Sequence, residues 1–63
     1  MYRVDREIDP SSHPREWLEV GRGNQSDVND ILSSEHRSPA GHWSEHRVID
    51  LETGNDHTED WWV

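Results

Sequence analysis

The stretch EWLEVGRGNQSDVNDILSSEHRSPAG, residues 16–41, contains the change of pattern that decides the fold. Residues 16–20 form a short apolar and acidic run that is typical of a strand, and Gly21-Arg22-Gly23 ends it with two glycines. Asn24 or Ser26 can then cap a helix, and apolar residues follow at helical spacing. The stretch therefore predicts a strand, a turn and a helix in succession.

The predicted helix has a narrow apolar stripe. Val28, Ile31 and Leu32 fall on one side, and Asp27 is favourable in the positive first turn. Three apolar residues are enough for a helix to lie on a sheet, but such a helix would not be stable alone. Ser38-Pro39-Ala40-Gly41 ends the predicted helix.

Two further segments have the pattern of strands. Residues 2–8 alternate between apolar and charged side chains, and residues 9–14, with two prolines, break that pattern. A third strand is predicted from about residue 43 to residue 51. The expected fold is a small α+β domain of β-β-α-β order, with one helix across one face of an antiparallel sheet of three to four strands. The predicted core consists of Tyr2, Val4, Trp17, Leu18, Val28, Ile31, Leu32, Val48, Ile49 and Leu51.

A fourth, C-terminal strand is left open by the sequence. Gly54-Asn55 is a hairpin-type turn, and a two-residue loop there pairs Val48 with Trp61. The same register places Asp50 opposite Glu59, a like-charge pair that costs stability. Either a bulge shifts this register or the segment does not pair fully.

Size and composition limit the protein to one domain, residues 1–63. Hydrophobic residues make up 29% of the chain, and there is no cysteine for a disulfide or a cysteine-based metal site. Marginal stability, or folding completed on a partner, is expected for so small a core. No apolar run has the length of a signal peptide or a membrane span, so a cytoplasmic location without membrane contact is expected.

The charge balance is strongly acidic. Fourteen Asp and Glu face six Arg, giving a formal net charge of −8. Such a chain repels nucleic acid and anionic membranes and is attracted to basic surfaces, including those that bind nucleic acid. A GC-rich coding sequence or a high-salt habitat would explain the same composition without any functional meaning.

The end of the chain carries the most informative motif. Residues 58–63 are predicted to form an exposed acidic-aromatic tail. Trp61 and Trp62 are neighbours, so on a strand only one can point into the core, and Trp is enriched at binding hot spots. The predicted partner-binding residues are Glu59, Asp60, Trp61, Trp62, Val63, Asp27 and Asp30.

A repeated tetrapeptide raises the question of a metal site. Ser-Glu-His-Arg occurs at residues 34–37 and again at residues 44–47. His36, His42 and His46 are suitable ligands for Zn²⁺ or Ni²⁺, yet on a strand positions 42 and 46 lie roughly 13 Å apart. The sequence favours exposed histidines over a metal site, and no cofactor is predicted.

Two weaker motifs invite catalytic or phosphate-binding interpretations. Ser12-His13 near Asp9 could suggest a nucleophile and its base, but neighbours in sequence rarely have the required geometry. The glycines at 21 and 23 could start a phosphate loop, but the third glycine is missing and acids follow. A turn is the favoured interpretation of both segments.

These observations favour a non-enzymatic module that binds a protein with a basic surface and modulates or inhibits it. Short, acidic, cysteine-free chains of β-β-α-β order resemble, in architecture alone, phage or mobile-element inhibitors of host enzymes. The alternative is a small metal- or pH-responsive domain based on its histidines.

Overall fold

Three strands and one helix follow each other along the chain in the predicted β-β-α-β order. The computed structural model describes residues 1–39, 41, 42 and 44–61. The elements are β1 (Tyr2–Glu7), β2 (Trp17–Gly23), α1 (Gln25–Arg37), β3 (His46–Asp50) and a 3-10 turn (Thr58–Asp60). The expected α+β fold, an antiparallel sheet with one helix, is therefore confirmed.

β1 is the central strand, and it pairs antiparallel with β2 on one side and with β3 on the other. The register between β1 and β3 is continuous. The register between β1 and β2 shifts by one residue, because Val4 pairs with Gly21 whereas Asp5 pairs with Glu19. Val20 is thus an extra residue in β2, a β-bulge that bends the strand.

The helix begins and ends where the sequence predicts. The Asn24 side chain accepts a hydrogen bond from the Asp27 backbone, and the Asp27 carboxylate accepts one from the Asn24 backbone, forming a capping box. The last helical residue is Arg37, and Ser38 is the C-cap. Both ends of α1 are therefore specified by hydrogen bonds between neighbouring residues.

No helix within the described residues combines the length and the apolarity that a membrane crossing requires.

Two glycines allow the helix to approach the sheet closely. A Cβ added to Gly21 would lie 2.5 Å from Cδ1 of Ile31, and one added to Gly23 would lie 2.3 Å from Cβ of Asp27. Both distances are shorter than the non-bonded contacts of real Cβ atoms. A larger residue at Gly21 would displace the Ile31 side chain, and one at Gly23 would collide with Asp27 at the start of α1. Both glycines lie within β2, and the strand continues past residue 20, where the sequence predicted its end.

Four side chains form the fully buried core between α1 and the sheet. They come from β1, α1 and β3, and Tyr2, Val20, Ile31 and Trp61 pack against them partly buried. Since these positions alternate along the strands, the core occupies one face of the sheet only. The fully buried core residues are Val4, Val28, Leu32 and Val48.

Four of the predicted core positions are corrected by the structure. Leu18 is 45% exposed, because it lies on the edge strand β2, opposite Arg6. Trp17 pairs with Glu7 and Ile49 pairs with Arg3, which places both residues on the face away from α1, half-buried. Leu51 follows β3 in a turn and is also only half-buried. The core is therefore smaller than the sequence suggests.

The C-terminal segment follows β3 without forming a strand of its own within the described residues. A single antiparallel bridge joins Ile49 to Asp56, and the 3-10 turn follows at Thr58–Asp60. The predicted register, with Asp50 opposite Glu59, is therefore not adopted. Instead the His57 N–H donates to the Val48 carbonyl, so this segment covers the outer edge of β3.

Candidate functional site

One end of the sheet collects carboxylates from two distant parts of the chain. Tyr2 pairs with Gly23, which leads into α1, and also with Asp50, the last residue of β3. The start of α1 and the turn after β3 therefore lie at the same end of the sheet. Asp27 and Asp30 stand in the first two turns of α1.

His57 joins the 3-10 turn to this end of the sheet, because its Nε2 lies 3.7 Å from Oδ2 of Asp50 and its Nδ1 lies 2.8 Å from Oδ2 of Asp60. Trp61 packs edge-on against Tyr2, with ring centroids 5.0 Å apart, and contacts the core. Glu59 and Asp60 directly precede it in the 3-10 turn, and both are exposed. We call this region the acidic end; its carboxylates are those of Asp27, Asp30, Asp50, Glu52, Glu59 and Asp60.

Five of the predicted partner-binding residues lie in the described part of the chain. Asp27 and Asp30 are exposed on α1, Glu59 and Asp60 are exposed in the 3-10 turn, and Trp61 packs on Tyr2. Trp62 and Val63 lie outside the described residues, and so does the predicted exposure of the very end of the tail. Asp60 is held in place by His57, whose Nδ1 lies 2.8 Å from Oδ2 of Asp60.

The arginines, in contrast, are engaged within the molecule. In the described part of the chain, Arg3 and Arg47 form ion pairs with Asp5, and the other ion-paired arginines contact glutamates. Arg37 donates to the backbone of α1. The remaining pairs are Arg6–Glu35, Arg15–Glu7, Arg15–Glu45 and Arg22–Glu19.

Most of these pairs cover the sheet face opposite α1, which we call the arginine face. Asp5, only 2% exposed, lies between Arg3 and Arg47, whose Nε atoms are 2.9 Å and 2.8 Å from its two oxygens. Burying a carboxylate is costly unless cations compensate it, and here two do. Within the described residues, charged side chains take the place of a second apolar layer.

Two guanidinium groups lie over the indole of Trp17 on the arginine face. The guanidinium of Arg47 lies 4.3 Å from the indole centroid and that of Arg15 lies 5.5 Å away, both within cation–π range. Beside them is a cleft of about 370 Å³, whose wall includes Glu45 and Asp56. The sequence interpretation missed this site.

A second cluster links the histidines to α1. The buried His46 ring has its Nε2 3.0 Å from Oε1 of Glu35, which also pairs with Arg6. The His36 ring stacks on His46 with centroids 5.8 Å apart, and Nδ1 of His42 lies 3.0 Å from the His36 carbonyl oxygen.

The three histidines considered as metal ligands are therefore neighbours. However, across residues 1–39, 41, 42 and 44–61 no three His, Asp or Glu side chains converge as a metal site would require.

The segment suggestive of hydrolase chemistry forms a turn. Asp9 accepts hydrogen bonds from the side chain and the backbone of Ser11, which lower the pKa of Asp9 below its ordinary value. The Ser12 hydroxyl donates to the Pro14 carbonyl. Neither contact joins a serine to His13, so these residues do not form a nucleophile–base pair.

The sequence shows no significant match to a protein-family model or a curated protein, and the structure shows none to a solved structure. The class of protein is therefore described by its fold and its surface. It is a small acidic α+β domain with an acidic end, a charge-paired arginine face and a cleft beside Trp17.

Proposed function

We propose that this chain is a non-enzymatic protein-binding module whose acidic end docks on the basic, nucleic-acid-binding surface of a partner protein and so modulates or inhibits it. The observation that carries the proposal is the unequal use of the charges. Five of the six arginines pair with carboxylates of the same chain, while the acidic end contains no arginine partner within the described residues.

The consequence of this arrangement is a directional field. On the arginine face the arginines and carboxylates balance each other. The excess negative charge of the chain, −8 in total, is therefore carried mostly by carboxylates elsewhere on the surface. A partner rich in Lys and Arg is steered toward the acidic end, whereas nucleic acid and anionic lipid are repelled. Such a module would compete with nucleic acid for the same basic surface.

Trp61 gives the acidic end a rigid base. Its packing on Tyr2 fixes the backbone from which Glu59 and Asp60 project, so less conformational entropy is lost on binding. Trp62 and Val63 follow directly, and in this proposal Trp62 is an aromatic anchor for the partner. The cytoplasmic location expected from the sequence belongs to the same proposal.

The proposal is tested with a deca-arginine peptide and two double variants that remove equal charge. Asp30→Asn/Glu59→Gln neutralises exposed residues of the acidic end, and Asp9→Asn/Glu16→Gln is the matched control in the loop between β1 and β2. Titration calorimetry should show about five-fold weaker binding for the first variant. The control should bind as the wild type does.

A second measurement tests inhibition directly. The wild-type protein should displace a fluorescent DNA duplex from a linker histone at lower concentration than Asp30→Asn/Glu59→Gln does. Added salt should weaken direct binding to deca-arginine, because screening reduces the attraction. If both double variants lose affinity equally, or if deca-arginine binding is indifferent to salt, the acidic end is not the docking surface and the proposal is wrong.

A second candidate function, a pH-responsive domain, is favoured by the buried contact of His46 with Glu35 and the stacked His36 ring. Added protons there would change the contact between α1 and β3. Nuclear magnetic resonance spectra from pH 7.5 to 5.5 should then shift most at the end of α1. A His46→Gln variant with the same shifts would contradict this function.

A further inference from the structure

Arg15 occupies a position on the arginine face that matches a binding site for a guanidinium group. Its Nη2 donates to Oε2 of Glu45 at 2.8 Å, its Nε lies 2.8 Å from Oε2 of Glu7, and its guanidinium stacks over Trp17. Arg15 comes from the long loop between β1 and β2, and its side chain is 52% exposed. The group that fills this position is thus held by an exposed loop.

The fit of Arg15 to Glu7 is incomplete. Glu7 is only 2% exposed, and its Oε2 lies at ion-pair distance from Arg15, yet this oxygen accepts no hydrogen bond. The Nε–H of Arg15 is poorly aligned with this oxygen, so the contact is an ion pair without a well-directed hydrogen bond. A buried carboxylate oxygen without a hydrogen bond is costly, and a better-directed donor would bind there favourably.

The neighbouring cleft provides the space for such a donor. It measures about 370 Å³, and Glu45 and Asp56 contribute carboxylates to its wall. Hydrogen bonds from the Thr58 hydroxyl and backbone lower the pKa of Asp56 and so favour its charged form. Arg47 also lies over the Trp17 indole, with its guanidinium 4.3 Å from the ring centroid.

We propose that Glu7, Glu45 and Trp17 form a guanidinium-binding site, filled by Arg15 in the free protein and by an arginine side chain of the basic partner in the complex. This inference rests on the proposed function, since it names the residue type that the partner supplies. Arginine fits better than lysine, because a planar guanidinium can bind two carboxylates while stacking on an indole.

The inference predicts that the site binds arginine more tightly once Arg15 is removed, because the wild-type protein must first release its own side chain. The probe is N-acetyl-arginine amide, titrated into the wild-type protein and into Arg15→Gln. We expect about ten-fold tighter binding by Arg15→Gln, with a shift of the Trp17 indole N–H resonance. N-acetyl-lysine amide should bind more weakly, and adding Glu45→Gln should abolish the gain.

Equal binding by wild type and Arg15→Gln, equal binding of the lysine probe, or no effect of Glu45→Gln would overturn the inference. If Arg15→Gln is too unstable for titration but still melts cooperatively, thermal melts with and without N-acetyl-arginine amide replace the titration. The ligand should then raise the melting temperature of Arg15→Gln but not that of Arg15→Gln/Glu45→Gln, and an equal response would overturn the inference.

These results are separable from those for the proposed function. Deca-arginine binding that depends on Asp30 and Glu59 of the wild-type protein supports the acidic end whatever Arg15→Gln does. If Asp30→Asn/Glu59→Gln binds deca-arginine as the wild type does, but Arg15→Gln binds arginine tightly, the proposed function is wrong and the guanidinium site stands.

Discussion

Leu32→Ala is the most direct test of how α1 packs on the sheet. Leu32 is fully buried, and replacing such a leucine by alanine costs about 2–5 kcal/mol in lost burial and cavity formation. Stability of roughly 0.05–0.15 kcal/mol per residue gives this 63-residue chain a free energy of unfolding of about 3–9 kcal/mol. A single substitution should therefore remove a large part of the total.

Leu18→Ala is the matched control, since it makes the same chemical change at a leucine that is 45% exposed. Urea unfolding followed by tryptophan fluorescence should place Leu32→Ala at least about 2 kcal/mol below the wild type, and Leu18→Ala within about 1 kcal/mol of it. A loss of about 2 kcal/mol relative to the wild type corresponds to a fall in melting temperature of at least about 8 °C. If the two variants melt together, or if Leu32→Ala melts as the wild type does, the placement of α1 is refuted.

Three further predictions concern the ends of the molecule and the approach of the helix to the sheet. Trp61→Ala should lower the melting temperature, because its ring packs on the core, whereas Trp62→Ala should leave melting nearly intact and weaken deca-arginine binding by about 2 kcal/mol; the reverse pattern would contradict the anchor role. Asp56 has a pKa below 3.8 because of its hydrogen bonds from Thr58, so its stabilisation is complete above that value and is lost as the pH falls through the lower folded-state pKa. The urea stability difference between wild type and Asp56→Asn should therefore shrink from about pH 7 to about pH 3, and a constant difference would exclude this cause. Gly23→Ala should lower stability, measured by thermal melting, because its Cβ would collide with Asp27 and displace the capping box, and an unchanged melt would show that the helix can shift freely.

The sequence predicted the parts of the fold that depend on neighbouring residues. The cap at Asn24, the apolar spacing of α1 and the stop before Pro39 are all local signals, and the helix follows them. The face of β2 was not predictable in this way. The pairing with β1 and the bulge decide which of Trp17 and Leu18 lies on the same face of the sheet as α1. Both the pairing and the bulge are set by long-range contacts.

The candidate site also has one part that local sequence predicts and one part that depends on long-range contacts. The acids and aromatics of the tail are adjacent in sequence, so their grouping could be inferred directly. The ion pair of Arg15 with Glu45 joins residues 30 positions apart, and that of Arg47 with Asp5 joins residues 42 apart, which no local pattern specifies. One pattern in the sequence could have indicated the arginine face. Charged residues occupy alternate positions of β1, and in a central strand such residues need partners of opposite charge.

The bulge at Val20 also affects how this protein behaves in a crowded solution. An exposed strand edge is a template on which another chain can add its own strand, and this is the usual start of fibril growth. In β2 the extra residue interrupts the regular spacing that such an addition needs, and Glu19 and Arg22 bind each other along it. On the opposite edge, the segment after β3 already occupies the place of an incoming strand. Both edges of the sheet therefore resist polymerisation, which suits a small domain with only four fully buried core residues among those described.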